Sequence, residues 1–242
     1  RLCFINKLDR TGASFDGSYQ SILDRLTLNA IPIQIPIGLE NSFEGVVDLL
    51  KMKAYRFEGE MGEKIVEGEV PESLMPEAKK RRHNLIEKIV EQDDTLMSQY
   101  LEGKEPDLDS LKRVLRKATI ANTLVPVVCG SALKNKGVQL VLDAVVEYLP
   151  SPVDMPPTKG IDPKSGAEIT REPKDDGPLS ALAFKIASDP FVGSLTFFRV
   201  YSGVAKRGSY ILNSTKGEKE RIGRIVRMHA NQREEVEEIY AG

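Results

Sequence analysis

Cysteine is scarce in this chain of 242 residues. Only Cys3 and Cys129 occur, each inside an apolar run, which argues against a disulfide framework and makes both small core residues of a reducing compartment. No apolar run approaches the roughly 20 residues that span a bilayer, and no charged-then-apolar leader opens the chain. No membrane association is expected, and the reading is cytoplasmic. An excess of one charge is missing too: the formal net charge is −2, with 40% hydrophobic and 29% charged residues. That is the make-up of an ordinary soluble chain, and its length suggests two domains. Neither a sequence repeat nor a low-complexity tract is present.

What is there begins at once. Residues 2–9, Leu-Cys-Phe-Ile-Asn-Lys-Leu-Asp, are an apolar strand-like run ending on Asn-Lys-x-Asp, a pattern with which a guanine base is read. Asn6 offers its side-chain amide to the loop and the purine, and Lys7 can lay its aliphatic stem along the base. Leu8 points the other way and should anchor the loop in the core. Asp9 discriminates. Its carboxylate only accepts, and guanine presents two adjacent donors where adenine presents an acceptor at N1, so a fork of two charge-assisted bonds forms with guanine alone. The plainer alternative is a strand ending in a solvated polar turn.

A second segment repeats the design. Residues 124–133, Leu-Val-Pro-Val-Val-Cys-Gly-Ser-Ala-Leu, form a β-branched run suited to a parallel strand buried on both faces, again stopping at small residues. Gly130, Ser131 and Ala132 would let backbone approach a ligand. In such a nucleotide fold this loop brings a main-chain N–H, that of Ala132, to the guanine O6, with Ser131 bracing Asp9 and Leu133 beside them among the expected nucleotide-binding residues. Ligands of open α/β sheets bind at the carboxyl ends of strands, where both motifs lie.

Between them the pattern changes. Residues 16–28 read as a helix behind a cap, and 31–37 as a proline-bearing edge strand. Strands follow at 43–50 and 53–57, then one long helix over 73–101 with Pro76 in its first turn. The basic run Lys79, Lys80, Arg81, Arg82 reads as a solvated face. Another helix covers 107–121 with Asp109 as its cap, and a last one covers 139–149 with Leu140, Val141, Ala144 and Val145 inward. The expected organisation is a nucleotide domain over 1–150 with an inserted α+β subdomain at about 31–121. Seven of the fourteen prolines fall between 150 and 178, which places a linker at 151–177 with no helix or central strand. From 178 to 242 short strands at 181–187, 194–201, 209–213 and 219–229 predict an incomplete β-barrel. Between 178 and 233 there are ten Lys or Arg against three Asp or Glu, and Arg221, Arg224 and Arg227 with Lys206 and Arg207 suit contacts to a phosphate backbone. A solubilising surface is the plainer reading.

These residues resemble the elongation factor G family of translational GTPases. Asn6-Lys7-Leu8-Asp9-Arg10-Thr11-Gly12-Ala13 is similar to its guanine-specificity loop, Gly45-Val46-Val47-Asp48-Leu49 to a signature of its inserted subdomain, and 129–139 to its second base loop. Ala183-Phe184-Lys185-Ile186, Asp189-Pro190-Phe191-Val192-Gly193 and 197–203 resemble the opening of its second domain. The resemblance implies an α/β fold, the C-terminal part of a P-loop GTPase domain with an inserted α+β subdomain, followed by an all-β translation-factor barrel. It implies a GTP-hydrolysing parent that binds GTP/GDP and Mg²⁺ and drives movement of tRNA and mRNA, with ribosomal RNA, the stalk protein and the small subunit as partners, acting as a monomer.

Departures bound what carries over. No Gly-x-x-x-x-Gly-Lys-Ser/Thr phosphate loop occurs in the 242 residues, so Mg²⁺ ligands and catalytic residues are expected outside the chain, and neither His83 nor His229 is a catalytic candidate. Asp9-Arg10-Thr11-Gly12 spells Asp-x-x-Gly, but its Asp belongs to the base. With the chain opening on Arg1 directly in a strand, the expectation is a middle fragment, inactive alone. A related ribosomal GTPase, such as a ribosome-protection or recycling factor, and a non-catalytic RNA-binding scaffold remain the alternatives.

Overall fold

The computed structural model describes residues 1–59, 61–162, 165–189, 193–229 and 232–242. The chain divides into two compact units, Arg1–Leu149 and Pro150–Gly242.

In the first unit a short parallel sheet carries everything that follows. Strand β1 (Cys3–Ile5) leads through the Asn6–Asp9 turn into α1 (Phe15–Arg25), which Ser14 caps by accepting the Gly17 N–H. Next come β2 (Ala30–Pro32) and β3 (Gln34–Ile37), then β4 (Gly45–Asp48), β5 (Lys53–Glu58) and β6 (Lys64–Glu69). Helices α2 (Met75–Val90), α3 (Asp94–Leu101) and α4 (Leu108–Ala121) precede β7 (Val125–Cys129) and α5 (Val138–Tyr148). The parallel sheet has the order β1-β7-β2, and β3 to β6 form an antiparallel meander.

The expected strand at 31–37 is two strands in different sheets. Ala30, Ile31 and Pro32 pair in parallel with Val125, Pro126 and Val127, whereas Gln34 to Ile37 pair with β4. Pro32 and Pro36 still sit on edges, β2 and β3 being terminal in their sheets, as the missing N–H requires. Strand β6 was not foreseen, because Lys64-Ile65-Val66-Glu67-Gly68-Glu69 is mostly exposed and lacks an apolar face. The expected long helix breaks in two at Asp93, whose backbone is extended and whose carboxylate accepts from Thr95 and Leu96 N–H, a cap stronger than continued helix. The cap of α4 is Asp107, which accepts from Ser110, and not Asp109. On α5, Ala144 and Tyr148 are buried while Val145 is exposed.

Val46, Val47, Leu49, Leu85, Ile89, Leu111, Leu115, Val127 and Val128 are fully buried in one core that joins both sheets to the helices. The basic run on α2 is half committed to this packing. Arg81 binds Asp16 and Glu77 and lies over Phe15, and Arg82 donates to the carbonyls of Leu49 and Leu50 and pairs with Glu105.

The second unit is all β among its described residues, apart from one short 3-10 turn. Its strands are β8 (Thr158–Ile161), β9 (Glu168–Arg171), β10 (Ser180–Asp189), β11 (Gly193–Ser202), β12 (Ala205–Lys206), β13 (Tyr210–Asn213), β14 (Glu218–Arg221), β15 (Ile225–His229), β16 (Gln232–Val236) and β17 (Glu238–Ile239). They pair antiparallel as β8-β9, β10-β11, β12-β17, β13-β14 and β15-β16. The proline-rich stretch therefore contains a hairpin, though an exposed two-stranded one. The expected strand at 219–229 is interrupted at residues 222–224, between β14 and β15. The Pro190-Phe191-Val192 part of the second-domain motif lies outside the described residues.

Candidate functional site

Parallel pairing brings the two motifs together. Cys3, Phe4 and Ile5 are in register with Val127, Val128 and Cys129, so Asn6 and Gly130 leave the sheet side by side at its carboxyl edge. The ladder then continues into the loops, with Gly130 N–H donating to the Ile5 carbonyl (3.0 Å) and Leu8 N–H to the Gly130 carbonyl (3.2 Å).

Asn6 staples the loops. Its Oδ1 accepts from the N–H of Lys7 (2.7 Å) and from the N–H of Ala132 (2.9 Å), linking residues 126 positions apart. Lys7 takes a left-handed φ of 65°, uncommon for a residue with a Cβ, and the kink sends Leu8 inward. Leu8 is 1% exposed. Asp9 returns towards the second loop, where the fully buried Ser131 hydrogen-bonds its carboxylate and holds its pKa below the usual carboxylate range, with the nearby positive charges of Arg10 and Lys134 adding to the effect. Asp9 Oδ1 is shielded from solvent, yet has no donor among the described residues. A buried acceptor without a protein donor is costly, and this oxygen stays available to a donor from outside the chain.

The second loop is a tight hairpin. Ser131 and Lys136 exchange both backbone bonds, at 2.9 and 3.0 Å. The smallness of Gly130 is consumed by the loop itself: a Cβ there would lie 2.4 Å from the Lys136 carbonyl oxygen and 3.2 Å from the Phe4 ring. Its smallness lets the second loop close on Lys136 and lie against the Phe4 ring of β1. The Ala132 N–H, expected to face a base oxygen, is directed at Asn6. Leu133, the next residue, is exposed.

Sequence reasoning missed one participant, Glu40, which follows the antiparallel strand β3. It donates its N–H to the Leu8 carbonyl (2.8 Å) and accepts the Gly12 N–H on Oε1 (2.7 Å). Only its neighbour Gly38, a glycine closing a strand, hinted at a turn there.

The cysteines take no part. Cys129 is fully buried and its thiol pKa is pushed far up by desolvation, which makes it inert. His83 meets Tyr100 and Glu87 on the surface of α2.

The basic stripe of the second unit is largely neutralised. Arg224 and Arg227 pair with Glu235 and Glu234, Arg207 with Glu235 and Glu237, and Lys206 with Glu238. Four glutamates stand within residues 234–238, just past the basic stretch, and strand pairing folds them back onto it. Lys185 and Arg199 instead lie over the rings of Phe197 and Tyr201.

No helix among the described residues is long and apolar enough to cross a membrane. None of their His, Cys, Asp and Glu side chains form a group of three placed to hold a metal.

Residues 1–151 match the family model of the elongation factor Tu GTP binding domain, and residues 178–242 match that of elongation factor G domain 2. The chain is also similar to a crystal structure of a protein from Thermus thermophilus, with a TM-score of 0.75 and 28% identity over 100% of this chain and 33% of that one. It spans about a third of that protein's length. With one model covering residues 1–151 and the other residues 178–242, the chain belongs to the translation elongation factor GTPases, as a GTP-binding domain followed by an elongation factor G domain 2.

Proposed function

We propose that Asn6, Lys7, Leu8 and Asp9, with Ser131, Ala132 and Leu133, form the base-reading half of a GTP/GDP site in a ribosomal factor that moves tRNA and mRNA after each peptide bond. The buried, donor-free Asp9 Oδ1 carries the reading. Guanine offers N1–H and its 2-amino group on one edge, and a carboxylate kept ionised by Ser131 accepts them. The Lys7 stem covers one face of the purine. Asn6 spends its oxygen on the loops, so it acts chiefly by fixing their spacing. The base O6 shares the Ala132 N–H with Asn6 or takes that of Leu133.

The residues present fit the base and not the phosphates or Mg²⁺. A phosphate loop supplies backbone donors, a lysine and a metal-binding hydroxyl, and the sequence contains none. GTP hydrolysis and Mg²⁺ binding therefore belong to a longer factor, which acts as a cytoplasmic monomer and meets ribosomal RNA, the stalk protein and the small subunit. Translocation is preferred over ribosome protection because residues 178–242 match elongation factor G domain 2.

The chain itself tests the base site. Millimolar guanosine should shift the amide resonances of residues 6–9 and 131–133 while adenosine leaves them in place, and labelled GDP at micromolar concentration should show negligible binding. Equal shifts with both nucleosides would contradict base reading, and micromolar GDP affinity would show that these residues hold more than the base edge.

A further inference from the structure

The base loops are held from outside the parallel sheet as well as by it. The segment between β2 and β7, residues 33–121, reaches back to them at three points. Glu40, at a left-handed φ of 55°, grips both sides of the Asp9 turn through the Leu8 carbonyl and the Gly12 N–H. Lys136 of the second loop donates from Nζ to the Phe43 carbonyl at 2.9 Å. Gly62, just before β6, leans on the same loop and the helix that follows it: Gln139 Nε2 of α5 donates to the Gly62 carbonyl (3.2 Å), and a Cβ on Gly62 would lie 2.8 Å from the Lys134 carbonyl oxygen. Strain such as that at Glu40 persists only where surrounding contacts over-determine it.

We propose that Glu40 is a positioning residue for Asp9, and that residues 33–121 clamp both base loops and so set how long a guanine nucleotide stays bound. The inference rests on the base-site reading above. Asp9 can meet the base only while the turn from Leu8 to Gly12 keeps its place beside Ser131, and Glu40 is the group that ties this turn to the intervening segment. Gln139 and Lys136 tie the Ser131 side to the same segment. Anything that displaces the segment therefore loosens both halves of the base contact at once, without touching the nucleotide.

The test uses the full-length factor that unites these residues with a phosphate loop, and follows release of a fluorescent GDP analogue. Glu40→Ala should release it about tenfold faster, the equivalent of one lost charge-assisted hydrogen bond. Glu40→Gln keeps an acceptor for the Gly12 N–H and should release at close to the unmodified rate, with the preference for GDP over XDP unchanged in both. Gln139→Ala acts through the other loop and should also speed release, which keeps the test available if Glu40→Ala fails to fold. Unmodified release rates in the alanine variants would overturn the clamp, as would a glutamine variant that behaves like the alanine one. If instead Asp9→Asn leaves guanine preference intact, the base-site reading is what fails.

Discussion

Asn6 does more for the architecture of this site than for the ligand, since its one oxygen bridges two loops that strand pairing alone brings near each other. Asp9 is the reverse: its carboxylate is steadied by Ser131, and its Oδ1 meets no donor among the described residues. Because the folded-state pKa lies below the unfolded one, the stabilisation from this contact is present at neutral pH and is lost as pH falls through the folded pKa. Ser131→Ala should raise the Asp9 pKa towards its ordinary value, measured by carbon NMR of the carboxyl group. An unchanged titration would mean that Ser131 does not hold it. At this scale the sequence was readable for residue type but not for spatial economy. The burial of Leu8 follows from local pattern, whereas the packing of Gly130 against the Phe4 ring, and the diversion of the Ala132 N–H to Asn6, depend on contacts between distant residues. Glu40 carries no local signal of its role.

Each element announces itself through periodicity and is bounded by caps that compete with it. The helix expected to run from 73 to 101 is interrupted where Asp93 turns its carboxylate onto Thr95 and Leu96. Asp93→Ala should lower stability by about 1 kcal/mol, the usual worth of an N-cap, read from the denaturation midpoint of the chain. No loss would mean that α3 is set by packing alone. Strand β6 shows the opposite limit, for it has no apolar alternation to detect and exists because β5 offers it a ladder. Pro32 and Pro36 were legible as edge residues, but not that they edge two different sheets, because the switch at Ile33 is a matter of tertiary partners. Ile33 N–H donates to the Val127 carbonyl in the parallel sheet, while Gln34 already faces Asp48 in the other.

At the scale of the molecule, one unit puts two strand ends side by side and a long intervening segment around them, and the other is a set of antiparallel ribbons. The split falls at Leu149 and Pro150, where a stretch rich in proline begins. The charge pattern was not legible along the chain, since counting separates Arg227 from Glu234, which strand pairing sets opposite it, and Arg224 from Glu235, with which it forms an ion pair. The proposed base reading concentrates on a single carboxylate, and exchanging its acceptor for a donor would reverse the demand made on the base. In the full-length factor, Asp9→Asn should transfer nucleotide preference from GTP to XTP, measured as the ratio of the two affinities, because an amide can donate to the xanthine oxygen where the carboxylate accepted from the guanine amino group. A variant that still prefers GTP by the original ratio would contradict the assignment of Asp9 to the base.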